Sequence, residues 1–284
     1  MRKHFETASR GKLNHGQLIK SGQRYYIRYM DHNDLQHNLR LQQHVLDVLK
    51  GLNKTHYIIE KSEAFLRKLL DNGHAIIGTF VNDHDPNTED RLGAHMLVVY
   101  PHNEYETGLA DPDVLPHKNL DKISVVSNVL VHQDFRGNHL MHTMLDEWVK
   151  IATADGKSDA IAEVCADNQF SWAVFLECGF VIYEHGHDDR DGSDLVYVHL
   201  PLDRDFVYSP DPKETVRIRL FDAQAQLDPA GHDKLRALLK QGYHGLDFNR
   251  RTGMLTLSKC VGSVPKSLPS ASPALPRPSN DNGP

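Results

Sequence analysis

The chain has 284 residues, 39% of them hydrophobic and 25% charged, with a formal net charge of −6, enough for one large domain, or a domain with an appendage, to bury a sizeable core. The negative balance, with no basic patch longer than Arg250–Arg251, argues against nucleic acid as a partner, because such binding rests on neutralising phosphates. Cys165, Cys178 and Cys260 follow no CxxC spacing, which argues against a disulfide framework or a zinc site and suits a reducing, cytoplasmic setting.

Residues 1 to about 22 are polar and aperiodic, lack the apolar core of a signal peptide, and are expected to form a flexible arm. Arg24 to Met30 reads as a strand ended by the turn-forming Asp31-His32-Asn33-Asp34. Leu35, Leu39, Val45, Leu46 and Leu49 then fall near helical spacing, predicting a helix over about 34–50. Ser62 opens a second helix, closed by Asn72-Gly73, and His74 to Val81 reads as a strand. The Asn- and Asp-rich stretch 82–90 links it to another strand at Leu92 to Val99, which is hairpin grammar. Pro101 to Asp121 predicts a long loop, and loops of that length usually serve as lids or substrate walls.

Ile123 to Val131 is an apolar strand, followed by Leu140, Met141, Met144, Leu145, Trp148 and Val149 at helical spacing up to Asp155-Gly156. Ala160 to Cys165 predicts a buried strand, Asn168 to Glu177 a short helix, and Phe180 to Glu184 and Leu195 to Leu200 two more strands. This order implies an α/β (α+β) fold whose mixed, mostly antiparallel sheet carries helices on both faces. After Pro201 the pattern restarts as a small strand-helix-hairpin module over 206–262: a strand at Val216 to Phe221, a helix from Pro229 capped by Asp228, and a hairpin turning at Arg250–Gly253. The Pro/Ser-rich tail, 263–284, is expected to be disordered. No run reaches about 18 apolar residues, so a membrane partner is not expected.

The chain has 19 histidines. Their densest group, His185 and His187 with Asp188, Asp189 and Asp191, lies in a Gly-rich stretch that reads as a solvated turn rather than a metal site, so no metal is expected.

Val129 to Met144 reads V-L-V-H-Q-D-F-R-G-N-H-L-M-H-T-M. A strand that turns through Arg136-Gly137-Asn138 into a helix N-terminus is a ready anion site, since the first helical N–H groups have no intrahelical acceptor and the macrodipole adds positive potential. A ligand-free alternative stays open, in which Gly137 relieves the turn and Asn138 caps the helix. A second run, Ala162 to Phe180, reads A-E-V-C-A-D-N-Q-F-S-W-A-V-F-L-E-C-G-F.

Together these two runs and the order of elements over 23–202 resemble the GNAT N-acetyltransferase superfamily. The resemblance implies a GNAT-like domain over 23–202 that uses acetyl-CoA, or another acyl-CoA, to acylate a primary amine of a small molecule or peptide. It implies that backbone groups of Val129, Leu130 and Val131 pair with pantetheine, and that Arg136, Gly137, Asn138, His139, Leu140, Met141 and His142 cradle the pyrophosphate. Asn168 corresponds to a residue that contacts pantetheine or a relay water. Glu163 corresponds to the strand glutamate that acts as general base, and a surface glutamate remains the other reading of it. The usual thiol-protonating Tyr falls at Phe175, so Ser171, Tyr183 or no dedicated donor takes that role. His139 and Met141 occupy positions that are small in the family pattern, which would limit phosphate approach. Glu104, Glu106, Asp111 and Asp113 give the 101–121 loop an acidic lining suited to a cationic amine, or else a solvated surface. A catalytically weak acyl-CoA-sensing module signalling through 206–262 is the alternative, and a homodimer stays open.

Overall fold

The computed structural model describes residues 11–82, 90–103, 106–203 and 208–261. In chain order the elements are β1 (Lys12–Gln17), β2 (Arg24–Tyr29), α1 (Leu35–Gly51), α2 (Glu63–Asp71), β3 (Ala75–Val81), β4 (Arg91–Val99), β5 (Ile123–Val131), α3 (Leu140–Ala154), β6 (Asp159–Cys165), α4 (Gln169–Glu177), β7 (Val181–Asp188), β8 (Ser193–Pro201), β9 (Ser209–Arg219), α5 (Pro229–Lys240), β10 (Tyr243–Asn249) and β11 (Met254–Val261). The first ten residues of the arm, 83–89, Glu104 and the 263–284 tail lie outside the described residues.

Among the described residues the eleven strands join one sheet in the order β1-β2-β3-β4-β5-β6-β8-β7-β10-β11-β9. Every pairing is antiparallel except β5 with β6. The fold is therefore mixed α/β and mostly antiparallel, as the element order predicts. Its helices divide between the faces. Leu35, Leu41, Val45 and Leu49 of α1, with Leu66 and Leu69 of α2, pack on Ile76, Leu97, Ile123 and Ile161. On the other face Leu140, Met144, Leu145 and Trp148 of α3 meet Ile77, Met96, Val126 and Ala162, together with residues of α4 and α5. β3 is buried along its whole length, which is why AIIGTFV is a continuous apolar run rather than an alternating one.

Local chemistry sets the helix starts. The Ser62 hydroxyl accepts the Phe65 N–H at 3.2 Å to cap α2. Asp228 accepts the Gly231 N–H at 3.2 Å to cap α5, with Pro229 next to it.

Three stretches differ from expectation. Lys12–Gln17, expected within a flexible arm, pairs with β2, and Leu18 beyond it is buried. β9 starts at Ser209 although SPDPKET looks like loop; it is the last strand of the sheet, where prolines cost no ladder bond. The C-terminal strands do not stand apart. Gly245 of β10 pairs with Ile182 of β7, where a Cβ at Gly245 would come within 3.1 Å of Ile182, and Phe221, Leu235, Leu239 and Phe248 join the same core as α3 and α4. No helix among the described residues is long and apolar enough to cross a membrane.

Candidate functional site

The site begins where the one parallel pair gives out. β5 and β6 are in register from Ile123↔Asp159 to Val126↔Ala162 and then part. On the other edge of β5, Ser127 pairs with Leu97 and Leu130 with His95, so Asn128 and Val129 together oppose Met96. This is a β-bulge, with Asn128 left-handed at φ 47°, and such a bulge bends the strand. The Asn128 amide donates to the Ile59 carbonyl at 3.1 Å, fixing the segment between α1 and α2 over the bend. A cavity of about 1360 Å³ opens there, walled by Val129, Leu130 and Val131, by residues 135–137 and 139–142, by Asn168, and by Ser171 and Val174 of α4.

At the mouth of α3 the backbone turns through Gly137 (φ 74°) and His139 (φ 57°), and His139 is the N-cap. The first intrahelical bond runs from Thr143 N–H to His139 O at 3.1 Å, which leaves the amides of Leu140, Met141 and His142 without helical acceptors. Asn138 is not the cap. Its side chain is buried, accepting the Lys20 N–H at 2.9 Å and donating to Phe135 O at 3.0 Å, so it shapes the turn from beneath. The Lys20 ammonium donates to Arg136 O at 2.8 Å and lies 2.7 Å from where a Gly137 Cβ would stand. This cation comes from the segment expected to be a flexible arm, and nothing local in the sequence marks it. Arg136 reaches back to the Val131 carbonyl at 3.3 Å. The Leu140 side chain enters the core, and the half-buried Met141 packs against it while also lining the cavity.

The outer rim is shared with the C-terminal unit. His142 Nε2 lies 2.7 Å from Glu177 Oε2, and Glu177 Oε1 accepts from Arg250 Nε at 3.0 Å. Gln224, Ala225, Gln226 and Leu227 form the facing wall.

The reacting end is assembled differently from the sequence expectation. Asn168 precedes α4 without capping it by its side chain, and both Asn168 and Ser171 line the cavity. Phe175 does not: at 1% exposed it packs edge-on to Phe180, ring centres 5.2 Å apart. The Tyr183 hydroxyl donates to Val114 O at 2.7 Å on the other side of the sheet. Glu163 also lies off the cavity wall. Its Oε2 accepts the Ala110 N–H at 2.6 Å, and burial raises its pKa above the ordinary carboxylate value. The 106–121 segment thus packs over Glu163, with Ala110, Val114 and Leu115 buried. Asp111 accepts the Asp113 N–H at 2.9 Å and Glu106 the His102 N–H at 3.1 Å, so these carboxylates partly serve local turns.

Four lining residues have no local signal at all. Asp167 holds the Lys54 ammonium, lies 3.3 Å from His56 Nε2, and accepts the Tyr57 hydroxyl at its carbonyl at 3.0 Å. Burial, then the nearby Asp167 charge, pushes the Tyr57 phenol up to about 12. These partners sit about 110 residues apart in sequence, and only the parted strands bring them together.

The His-rich stretch expected to be a solvated turn is mostly strand: β7 runs through Asp188 and carries both His185 and His187. His185 meets His232 of α5, their Nε2 atoms 3.0 Å apart.

A mixed sheet parted at its one parallel pair, with a helix N-terminus at the opening, is the class this fold and cleft define. Residues 52–180 match the acetyltransferase (GNAT) family. Those residues carry the GNAT acetyltransferase domain match, to a family whose general activity is acyl transfer. Among solved structures it is similar to yncA from Salmonella typhimurium, solved with its cofactor acetyl-CoA (16% identity, 66% of this chain and 98% of that one, TM-score 0.47). It is similar as well to an N-acetyltransferase from Staphylococcus aureus Mu50 (16%, 63% and 99%, 0.45) and to a ribosomal-protein-alanine N-acetyltransferase from Brucella melitensis (18%, 62% and 98%, 0.43). No curated protein sequence matches the chain.

Proposed function

We propose that the protein is an acyl-CoA-dependent N-acyltransferase that passes an acyl group, acetyl in the first instance, to a primary amine of a small molecule or peptide by direct attack. The observation that carries this reading is the parting of β5 from β6 beside three α3 amides without helical acceptors. Those amides, with Gly137 and the Lys20 and Arg136 cations, suit a pyrophosphate. The free edge at Val129–Val131 suits pantetheine, whose amides can pair as an extra strand. His139 and Met141 narrow the fit, although Met141 packs in part against the core. Residues 23–202 are the catalytic unit in this reading, and the C-terminal unit closes the rim through Gln224–Leu227 and Arg250, in a cytoplasmic setting.

Bound acyl-CoA supplies an activated carbonyl and a thiolate leaving group. The chain must take one proton from the amine and deliver one to sulfur as the N–C bond forms and the C–S bond breaks. We assign the first task to Glu163 acting through a relay water, since burial raises its pKa as suits a base while its carboxylate lies off the cavity wall, held by the Ala110 N–H. Asn168 and Ser171, which line the cavity, would face the sulfur end. No step uses a metal.

Calorimetric titration with acetyl-CoA, followed by a thiol-release assay over a panel of primary amines, tests the proposal. The expected result is one acetyl-CoA bound per chain and thiol release that requires an amine. No binding heat up to millimolar acetyl-CoA overturns it.

A further inference from the structure

Behind the rim of the cleft, three side chains from three elements converge. His185 of β7 faces His232, in the first turn of α5, with Nε2 to Nε2 at 3.0 Å. Asp194, at the start of β8, places Oδ1 3.8 Å from His185 Nε2 and Oδ2 3.6 Å from His232 Nδ1. One ligand atom from each residue falls within 4.8 Å of the others. The two imidazoles are 8% and 6% exposed and the carboxylate 36%. We propose that His185, His232 and Asp194 form a transition-metal site of the zinc class, which ties the C-terminal unit to the β7–β8 hairpin.

The donor chemistry sets the metal class. Two imidazole nitrogens and one carboxylate suit zinc and its first-row neighbours, whereas magnesium and calcium require an all-oxygen set. A three-residue set leaves a fourth position for water. Geometry is close to what an ion needs. In a tetrahedron with Zn–N bonds of about 2.0 Å the two nitrogens stand about 3.3 Å apart, so the imidazoles need to separate by only a few tenths of an ångström, while the half-exposed carboxylate swings inward. Without an ion, at most one hydrogen fits between the two facing Nε2 atoms, 3.0 Å apart.

Surrounding groups orient the carboxylate. His187 Nδ1 lies 3.4 Å and Arg236 Nη2 3.5 Å from Asp194 Oδ1. Such outer partners fix ligand geometry, but the Arg236 charge also opposes a cation. The location gives the ion a task, because β7 and β10 are joined at the single register pair Gly245↔Ile182. Asp194 and Ala225, one from each side of this junction, both line the cleft. An ion here would fix the wall they form.

The test uses the full chain stripped with a chelator, then titrated with Zn²⁺ by calorimetry and with Co²⁺ by visible absorption. Expected are one bound equivalent at micromolar or tighter affinity, cobalt d–d bands of a nitrogen- and oxygen-ligated ion, and a melting temperature raised by Zn²⁺. His185→Gln, His232→Gln and Asp194→Asn should each weaken binding by at least about tenfold and abolish the bands; Arg236→Gln should strengthen it. Asp194→Asn, at the half-exposed position, keeps the test decisive if His232→Gln fails to fold. No bound equivalent at about 100 µM metal, or bands and affinity unchanged in His185→Gln and Asp194→Asn, overturns the proposal. Acetyl-CoA is absent throughout, so the outcome is separate from that of the acyltransferase reading.

Discussion

The two ends of β6 each present an aspartate to histidine, and the pair separates stability from reactivity. At the start of the strand, Asp159 Oδ1 faces His199 Nε2 at 2.8 Å, Oδ2 faces His117 Nε2 at 2.8 Å, and Ser158 donates to the same carboxylate. His199 is 0% exposed and turns its other nitrogen to the Tyr208 hydroxyl at 2.7 Å. Beyond the end of the strand, Asp167 meets His56 and Lys54 at the cavity wall, where its side chain is 23% exposed. The strand is the same, but at Asp159 its neighbours close around the carboxylate, and at Asp167 β5 has already departed. A polar cluster that is fully enclosed and satisfied rigidifies the fold; one on an opening is left to meet a ligand.

The strongest test of that difference is Asp159→Ala, which strips the partner from the fully buried His199. Removing one member of such a pair typically costs about 3–5 kcal/mol, and urea denaturation should show a loss of that order, with acetyl-CoA affinity of the folded protein unchanged. Burial pushes the Asp159 carboxyl up, but hydrogen bonds from His199 and Ser158 outweigh it and hold the pKa below the ordinary value. A depressed folded-state pKa gives stability that is present above the unfolded pKa of about 3.9 and is lost as pH falls through the folded value. Wild-type stability should therefore drop more steeply below about pH 4 than that of Asp159→Asn. Identical acid limbs would contradict the network.

On the reactive side, Glu163→Gln should lower kcat by about 10²- to 10⁴-fold, the span of general-base catalysis, with little change in the KM for acyl-CoA. Burial raises the Glu163 pKa, so the basic form is lost at a higher pH than for an ordinary glutamate and activity falls as pH drops through that raised value. That limb should vanish in Glu163→Gln. His56→Gln provides the contrast: a deeper loss there would transfer the role to the His56–Asp167 pair on the cavity wall.

A smaller effect, and a gain, is expected at His139. A non-glycine residue at φ 57° costs about 1–2 kcal/mol, part of which glycine returns to the unfolded chain as entropy. His139→Gly should stabilise the protein by up to about 1 kcal/mol in thermal melts and tighten acetyl-CoA binding by opening the cradle.

Which parts were legible follows from the range of the forces involved. β3, β5 and α3 announce themselves because each buries a face or two that must be apolar at a fixed period. The Val129–His142 turn was equally visible, since a helix N-terminus after a strand is a local feature. β1 and the first part of β9, before the expected Val216, were hidden, because an edge strand needs few apolar residues. Asn138 has an N-cap's chemistry, but its amide is taken by Lys20, a partner 118 residues away. Likewise the meeting of His56 with Asp167, of His185 with His232, and of Glu163 with Ala110 depends on how whole elements dock. No window of sequence contains it.

The smallest expected effect asks whether the C-terminal unit belongs to the cleft or only adjoins it. Arg250 stands on the β10–β11 turn and pairs with Glu177, both partly exposed, and such pairs contribute about 0–1 kcal/mol to stability. Arg250→Ala should therefore leave the melting temperature nearly unchanged. If the rim guides an anionic ligand past His142 and Glu177 toward the α3 amides, the same change should raise the KM for acetyl-CoA severalfold with kcat unaltered. Because an exposed charge acts through a screened field, that increase should shrink as salt rises from about 0.01 to 0.15 M. A KM indifferent to both the substitution and salt would make the unit a neighbour of the cleft rather than a part of it.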